Sequence, residues 1–346
     1  KIRKDTLAGR IMGTMFGSGT LRLKYLINKL TQKKEYSCRG GNIFIKNANR
    51  MKKGSLLSMA LLLCGLLVVP ACNQAQKSEA SNKGKDIYVQ LYSVRDDIKA
   101  DYAGTIAKVA EMGYTGVEAA GYNDGQFYGM PPADFKKSIE DTGMEVLSSH
   151  TARPLAENLA ETNWDDIWAW WDTAIQAHKD AGMKYIVAPW MPTPATLADL
   201  QVYCDYYNQI GERCNAAGMR FGYHNHNFEF NEIEGTLMYD YMLENTNPAN
   251  VFFQMDVYWV IEGGQNPVDY FNKYPGRFEL LHIKDELELG KSGKVDFENI
   301  FNNVATSGAK YMIVEVERYT GTPFEGVQES YDFLNDAPYY KDSYSK

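Results

Sequence analysis

The chain has 346 residues, with 36 Lys and Arg against 44 Asp and Glu, a formal net charge of −8. This charge is unevenly distributed. Residues 1–50 carry 12 basic and 2 acidic residues, whereas residues 72–346 carry 22 basic and 42 acidic residues, a net charge of −20. So acidic a region repels phosphate backbones, which excludes DNA and RNA as expected partners. Its 275 residues suit one large α/β barrel or two smaller domains.

Residues 51–71 have the pattern of a lipoprotein signal peptide. A charged start at Met51-Lys52-Lys53 precedes an apolar run over residues 56–69 that is short for a bilayer span. Ala71 then precedes Cys72 as in a bacterial lipobox, which predicts lipidation of Cys72 and a lipid-anchored protein exported to the periplasm or outer membrane. The anchor would be the only membrane contact. A buried apolar helix is disfavoured because residues 72–85 follow as a polar, aperiodic tether.

Residues 1–50 precede this signal and show no sustained amphipathic period. We interpret them as a disordered upstream extension that results from a start codon assigned too early, with Met51 as the initiator. A nucleic-acid-binding arm is the alternative, but a basic segment of low order is poor evidence for one.

From residue 86 onward, short β-branched or aromatic segments alternate with amphipathic helices. A glycine follows each of five helices and precedes the next strand, as is typical of left-handed helix ends in αβ loops: Gly113, Gly143, Gly182, Gly218 and Gly308. The helices are predicted over residues 102–112, 132–141, 163–181, 197–217 and 297–306. The strands are predicted over residues 87–91, 115–118, 145–149, 185–188, 220–223, 251–256, 278–283 and 311–315.

Eight strands that alternate with helices predict a single α/β domain over residues 86–346, a (β/α)8 TIM barrel. An open doubly wound sheet would usually carry a glycine-rich phosphate turn after its first strand. Here residues 92–96 read Tyr-Ser-Val-Arg-Asp, without such a turn. The barrel is therefore favoured, and its active site is expected where the strands end.

Four of the five histidines fall at those strand ends. A single strand-end histidine is usually structural, but several that converge with Asp256 and Glu315 favour a site for one divalent ion, because imidazole and carboxylate together suit Mn²⁺, Co²⁺, Zn²⁺ or Mg²⁺. The histidines are His150, His224, His226 and His282.

Six segments together resemble the sugar phosphate isomerase/epimerase family, which has the xylose-isomerase-like TIM barrel, and are closest to its exported Bacteroidetes-type lipoprotein branch. The resemblance covers residues 86–335 and supports the barrel fold. The segments are Gln90-Leu91-Tyr92-Ser93-Val94-Arg95, Gly116-Val117-Glu118, Gly222-Tyr223-His224-Asn225-His226-Asn227-Phe228-Glu229-Phe230, Gln254-Met255-Asp256-Val257-Tyr258-Trp259, Leu281-His282-Ile283-Lys284-Asp285 and Val314-Glu315-Val316-Glu317.

The resemblance implies a metal held by residues of the fifth to eighth strands. Asp256, His282 and Glu315 match three of the family's ligand positions. The fourth position is Glu in the ketose-epimerase relatives, and here His224 or His226 is expected to replace it. Since that Glu is also one of two carboxylates that flank the sugar, a two-carboxylate C3 epimerisation is disfavoured, whereas enolisation with a histidine base remains open.

The expected substrate is a small-molecule carbohydrate, and the following roles are predicted. Base, acid and substrate orientation fall to His224 or His226, His150 and Glu118, although Glu118 alone could be a solvated carboxylate. Lys284 either neutralises an oxyanion or pairs with Asp285. Glu315 serves as ligand and catalytic carboxylate. Substrate packing or binding is assigned to Tyr92, Trp190, Glu229, Tyr258 and Trp259.

Three functions follow from this reading. The leading hypothesis is a metal-dependent isomerase or epimerase that acts on an unphosphorylated keto-sugar through an enediolate. A lyase or hydratase on 3-keto-glycosides would use the same enolisation. A non-catalytic sugar-binding lipoprotein is the third. An abasic-site endonuclease on the same barrel is remote, because it would need a basic face.

Overall fold

The computed structural model describes residues 84–345, which form a closed barrel of eight parallel strands. Each strand pairs with its neighbours in sequence, and the first strand pairs with the last. The predicted TIM barrel is confirmed. The strands are β1 (Tyr88–Gln90), β2 (Gly116–Ala119), β3 (Glu145–His150), β4 (Tyr185–Ala188), β5 (Arg220–His224), β6 (Val251–Asp256), β7 (Leu280–Ile283) and β8 (Tyr311–Val314).

Ten α-helices lie in the described part of the chain, and the five predicted ones correspond to α2, α3, α4, α5 and α9. They are α1 (Arg95–Ala100), α2 (Tyr102–Glu111), α3 (Pro132–Glu140), α4 (Trp164–Asp180), α5 (Leu197–Ala216), α6 (Met238–Asn245), α7 (Val257–Glu262), α8 (Pro267–Lys273), α9 (Phe297–Ser307) and α10 (Pro323–Asp336). Two small hairpins pair Tyr122–Asn123 with Gln126–Phe127 and Glu232–Ile233 with Thr236–Leu237.

Local sequence chemistry fixes where these helices begin and end. The Asp101 carboxylate caps α2 by accepting from the Gly104 N–H, and Thr322 with Glu325 forms a capping box at the start of α10. All five glycines predicted at helix ends have positive φ. At Gly308, with φ 84°, a Cβ would lie 2.8 Å from the Gly276 Cα, so a side chain there would clash as well as strain the backbone.

The barrel interior is built in layers, because alternate residues of each strand point inward. Near the amino ends of the strands the inward residues form an apolar cluster that includes Tyr88, Phe252, Leu280 and Ile313. Two residues further along each of those strands, the inward residue is polar. These are Gln90, Gln254, His282 and Glu315, all buried. The alternation therefore places one polar layer directly above the apolar one, at the carboxyl ends.

One irregularity changes which residues of β3 face inward. The β2–β3 pairing shifts register between Val117 and Glu118, so that Glu118 pairs with Ser148. Ser148 and His150 consequently lie level with Tyr185 and Val187 of β4, whose side chains belong to the interior cluster. This single shift brings Ser148 and His150 into the polar layer.

The signal segment 51–71, the lipidation site Cys72, the extension 1–50 and most of the tether 72–85 lie outside the described residues. Their assignments stay predictions. Within residues 84–345, none of the helices combines the length and apolar character required to cross a bilayer.

Candidate active site

Four side chains of the polar layer converge at the carboxyl end of the barrel. His224 ends β5, Asp256 ends β6, His282 lies in β7, and Glu315 follows β8. Asp256 pairs in register with His282, which sets these two at the same height. One ligand atom from each of the four lies within 4.8 Å of those of the other three. We call these four residues the cage.

The cage has the properties of a metal site. The Asp256 Oδ2 and His282 Nδ1 atoms are buried without a hydrogen-bond partner among the described residues, and His282 Nδ1 lies 3.4 Å from Glu315 Oε2, a ligand atom of the same cage. An unpaired buried polar atom costs about 1–3 kcal/mol, so two on neighbouring residues call for a shared partner. Two imidazoles and two carboxylates form a mixed nitrogen and oxygen donor set that suits a divalent transition ion. The residues present therefore fit the metal that the sequence predicts.

The pKa values of the cage residues are shifted mainly by burial and by the charges of neighbouring side chains. Burial raises the pKa of Asp256 to about 7. Burial and the neighbouring His282 and His150 hold the pKa of His224 well below 6.5, so its ring is neutral at pH 7. Burial lowers the pKa of His282, but the Glu118 and Glu315 carboxylates outweigh it and raise that pKa to about 10. Binding of a cation must therefore displace protons from Asp256 and His282.

Glu118 lies behind the cage and not in a pocket. Its side chain is fully buried, and Oε1 is 2.7 Å from His282 Nε2 and 3.0 Å from His150 Nε2. Burial would raise the Glu118 pKa, but these two histidines hold it well below its usual range. The predicted catalytic or substrate-orienting role does not match this position, because Glu118 is shielded by the rings that it holds. It is a positioning residue that leaves His282 Nδ1 facing the cage.

Gln254 joins the two halves of this network. Its Oε1 accepts from His150 Nε2 at 2.8 Å and from His224 Nδ1 at 3.1 Å, and its Nε2 donates to Glu118 Oε2 at 2.8 Å. Gln90 and Ser148 also donate to Glu118, at 2.8 and 2.6 Å. The sequence reasoning missed all three as site residues.

A signal for them was present in the sequence. Gln254 stands two residues before Asp256 in one strand, so the two share a face. Ser148 stands in the same relation to His150.

Lys284 bridges two carboxylates of the last strand. Its Nζ lies 3.0 Å from Glu315 Oε2 and 2.8 Å from Glu317 Oε2. The alternative pairing with Asp285 is wrong, because Asp285 instead accepts from the backbone N–H groups of Glu286 and Gly290. Burial opposes the charge on Lys284, yet the neighbouring carboxylates raise its pKa. Lys284 is thus a fixed cation that holds Glu315 in place.

A pocket of about 340 Å³ opens above the cage. Large apolar side chains are seldom exposed, yet Tyr92 and Trp190 are 42% and 50% exposed at its rim. His226 lines the wall but is not a member of the cage, and its Nδ1 is buried without a partner in the described structure. Burial lowers the pKa of His226 to about 4. The lining is Tyr92, Ala120, His150, Pro189, Trp190, His224, His226, Glu315 and Glu317.

Three predicted substrate-binding residues do not line this pocket. Glu229 is fully buried and accepts from the Tyr223 hydroxyl at 2.7 Å and from the His226 N–H at 2.8 Å, so it shapes the loop after β5. Tyr258 is 4% exposed because α7 begins immediately after β6 and turns it inward. Trp259 lies 5.2 Å beneath Lys284 Nζ and beside the His226 ring. Glu229 and Trp259 contact His226 and so support the pocket wall from outside, and Tyr258 packs against Trp259.

Comparison with known proteins identifies the family to which this barrel, with the cage at its carboxyl end, belongs. A family model for the xylose isomerase-like TIM barrel matches residues 106–337, and the chain belongs to this family. Among solved structures, a sugar phosphate isomerase/epimerase from Parabacteroides distasonis ATCC 8503 is 37% identical, covers 75% of this chain and 100% of its own, and superposes with a TM-score of 0.69. A second one from the same strain is 32% identical, covers 76% and 99%, and has a TM-score of 0.71.

Among curated relatives, an inosose dehydratase from Geobacillus kaustophilus (strain HTA426) is 24% identical over 213 residues. That match covers 56% of this chain and 66% of the relative. An inosose dehydratase from Lacticaseibacillus casei is also 24% identical, with 51% of the relative covered. The chain therefore spans about half to two thirds of the length of these relatives.

Proposed function

We propose that this protein is a sugar-modifying enzyme that removes a proton next to the carbonyl of an unphosphorylated keto-sugar, with one divalent ion in the cage. The observation that carries the proposal is the convergence of His224, Asp256, His282 and Glu315, with two unpaired ligand atoms, beneath an open pocket. When bound, the cation would supply positive charge that stabilises an enediolate oxygen pair.

His150 is the base in this proposal. Its Nε2 faces two acceptors, Glu118 Oε1 and Gln254 Oε1, so Nε2 carries the proton of the neutral ring. The lone pair is then on Nδ1, and the ring lines the pocket. A buried carboxylate that fixes the tautomer also stabilises the imidazolium formed after proton abstraction. Glu118 supplies that carboxylate.

The pocket lining supports an unphosphorylated substrate. Among the described residues, no Lys or Arg lines it, whereas Glu315 and Glu317 do. A phosphate dianion would be repelled there. Tyr92 and Trp190 offer exposed aromatic faces, on which the apolar face of a sugar ring can pack.

Isomerisation or epimerisation is the outcome that the sugar phosphate isomerase/epimerase neighbours favour. Elimination is the second candidate, because the curated relatives are named dehydratases and loss of water can follow the same proton abstraction. The predicted export of the protein, which rests on residues 51–72, also suits an unphosphorylated substrate.

Solvent exchange in D₂O tests the common step. The metal-loaded chain should incorporate deuterium at the carbon next to the carbonyl of an unphosphorylated keto-sugar, as detected by NMR, and His150→Gln should lose this exchange while it retains the metal. The product then distinguishes isomerisation from elimination. A metal-loaded parent that binds keto-sugars without exchange would instead be a sugar-binding protein.

A further inference from the structure

One ring nitrogen of His224 is engaged inside the protein, and this limits how the ring can meet a cation. His224 Nδ1 lies 3.1 Å from Gln254 Oε1, so Nε2 is the nitrogen that remains for the cage. The neutral ring carries one proton, on one nitrogen or the other. Because a nitrogen that holds a proton cannot bind a metal ion, the position of this proton determines whether His224 is a ligand.

The orientation of the Gln254 amide fixes the position of that proton. Gln254 Nε2 donates to Glu118 Oε2 at 2.8 Å, and the ionised Glu118 carboxylate can only accept. Rotation of the amide by half a turn would place Gln254 Oε1 against this carboxylate, so that two acceptors faced each other. Gln254 Oε1 therefore faces the rings, and as an acceptor it requires a proton on His224 Nδ1.

His150 shares the Gln254 acceptor but does not depend on it. His150 Nε2 lies 2.8 Å from Gln254 Oε1 and 3.0 Å from Glu118 Oε1, so either oxygen can hold a proton on that nitrogen. Among the described side chains, by contrast, Gln254 is the one hydrogen-bond partner of His224 Nδ1. Loss of the Gln254 amide should therefore release the His224 proton and leave the His150 proton in place.

We propose that Gln254 is a positioning residue that holds the proton of His224 on Nδ1 and so keeps Nε2 available to the cation. Glu118 acts in the same way on His282, whose Nε2 it engages at 2.7 Å. The two histidines of the cage thus offer opposite nitrogens, each fixed by its own acceptor. This inference rests on the proposed function, which supplies the cation.

NMR of the metal-free chain, labelled with ¹⁵N-histidine and held at pH 7, shows which nitrogen of each ring carries a proton. In the parent, the His224 proton should lie on Nδ1, and a proton on Nε2 in its place would overturn the proposal without any variant. His178 is an internal reference, because its Nδ1 donates to the Ala174 carbonyl within α4 at 2.6 Å. His→Gln variants, made one at a time, assign the signals.

Gln254→Met removes the amide with little change in volume. Neutral histidine in water carries its proton mainly on Nε2, so His224 should change to that tautomer, while His150 and His178 keep their parent signals. Mn²⁺ affinity, measured by calorimetry, should fall about tenfold, because His224 must change tautomer before it binds. A His224 signal that is unchanged in Gln254→Met would contradict the proposal. Should this variant fold poorly, the parent spectrum alone decides.

Gln90→Met is the matched control. Gln90 is buried in the same polar layer and donates to Glu118 at 2.8 Å, as Gln254 does, but it hydrogen-bonds to no histidine of the described chain. The His224 tautomer and the Mn²⁺ affinity should stay as in the parent. Equal losses of affinity in both variants would overturn the proposal, because the effect would then pass through Glu118. A parent that binds no Mn²⁺ would overturn the proposed function instead, whichever tautomer His224 shows.

Discussion

Both ends of the barrel carry networks of charged side chains, but in the described structure a group of converging metal-ligand side chains with unpaired atoms lies at only one of them. At the amino end, Glu145 accepts from the Tyr88 hydroxyl at 2.5 Å with one oxygen and from Lys184 at 3.2 Å with the other. Glu279 likewise accepts from Arg220 at 2.8 Å and from Lys310 at 2.9 Å. At the carboxyl end, Asp256 Oδ2 has no such partner within the described structure, and His282 Nδ1 lies 3.4 Å from Glu315 Oε2 without forming a hydrogen bond.

Cavity size alone would not have selected the cage pocket. The cavity at the amino end measures about 490 Å³ and is lined by Tyr88, Glu145, Lys184 and Tyr311, whereas the cage pocket measures about 340 Å³. The difference is in hydrogen bonding. A buried polar network in which every oxygen has a hydrogen-bond partner stabilises the fold. Buried ligand atoms without such a partner indicate instead a site for an ion or another ligand.

Loss of a cage ligand should have the largest effect. Asp256→Ala should reduce bound divalent metal from about one equivalent to little, with affinity at least about 100-fold lower, because a cage ligand with a buried unpaired oxygen is removed. Mass spectrometry of metal content measures this. Glu145→Gln at the amino end is the control and should keep the full equivalent. Equal metal in Asp256→Ala would show that the cage is not the site.

Loss of the residue behind the cage should have the next largest effect. Glu118→Gln keeps the shape but removes the charge that holds His282 Nε2, and should weaken metal binding by about 10–100-fold. Competitive titration with a chelator gives the affinity, and circular dichroism checks the fold. If Glu118→Gln binds metal as tightly as the parent, Glu118 does not position His282.

Metal affinity should rise with pH in two regimes. Because binding displaces one proton from His282, whose pKa is about 10, affinity should rise about tenfold per pH unit between 7 and 10. Below about 7, Asp256 is also protonated, so the rise should steepen to about a hundredfold per unit. Calorimetry from pH 5.5 to 8.5 should show the break.

Glu229→Gln is the control for that break. Burial also raises the Glu229 pKa to about 7, yet Glu229 is not a cage residue. The break should survive this substitution. Its disappearance would assign the titration to Glu229 and not to Asp256.

Loss of an amino-end ion pair should have the smallest effect, and it should lower the free energy of unfolding without changing metal affinity. Glu279→Gln weakens contacts with Arg220 and Lys310, which are 26% and 50% exposed, so it should cost only about 1–2 kcal/mol of unfolding free energy. Metal affinity should not change. Urea denaturation measures the first quantity. A loss of metal in Glu279→Gln would mean that the two ends are not independent.

The barrel and most of the cage could be predicted from the amino-acid sequence. Alternating strands and helices, with glycines such as Gly308 at helix ends, specify a closed parallel sheet through local backbone chemistry. Asp256, His282 and Glu315 are strand-end residues, and the carboxyl ends of parallel strands meet at one rim. Their convergence could therefore be predicted from their positions in the chain.

Which histidine belongs to the cage, and which residues lie behind it, depends on how the strands pair and pack. His224 faces inward because Gly222, two residues earlier in β5, pairs with the inward-facing Val187 of β4, whereas His226 lies beyond the strand end. The register shift between β2 and β3 turned Ser148 and His150 inward, which simple alternation would not predict. The sequence predicted that Glu118 acts on or orients the substrate. In the structure, Gln254 and His282 from distant strands hydrogen-bond to Glu118, which is buried behind the cage and positions His282. Register and burial depend on pairing between distant segments, and a linear pattern does not contain that information.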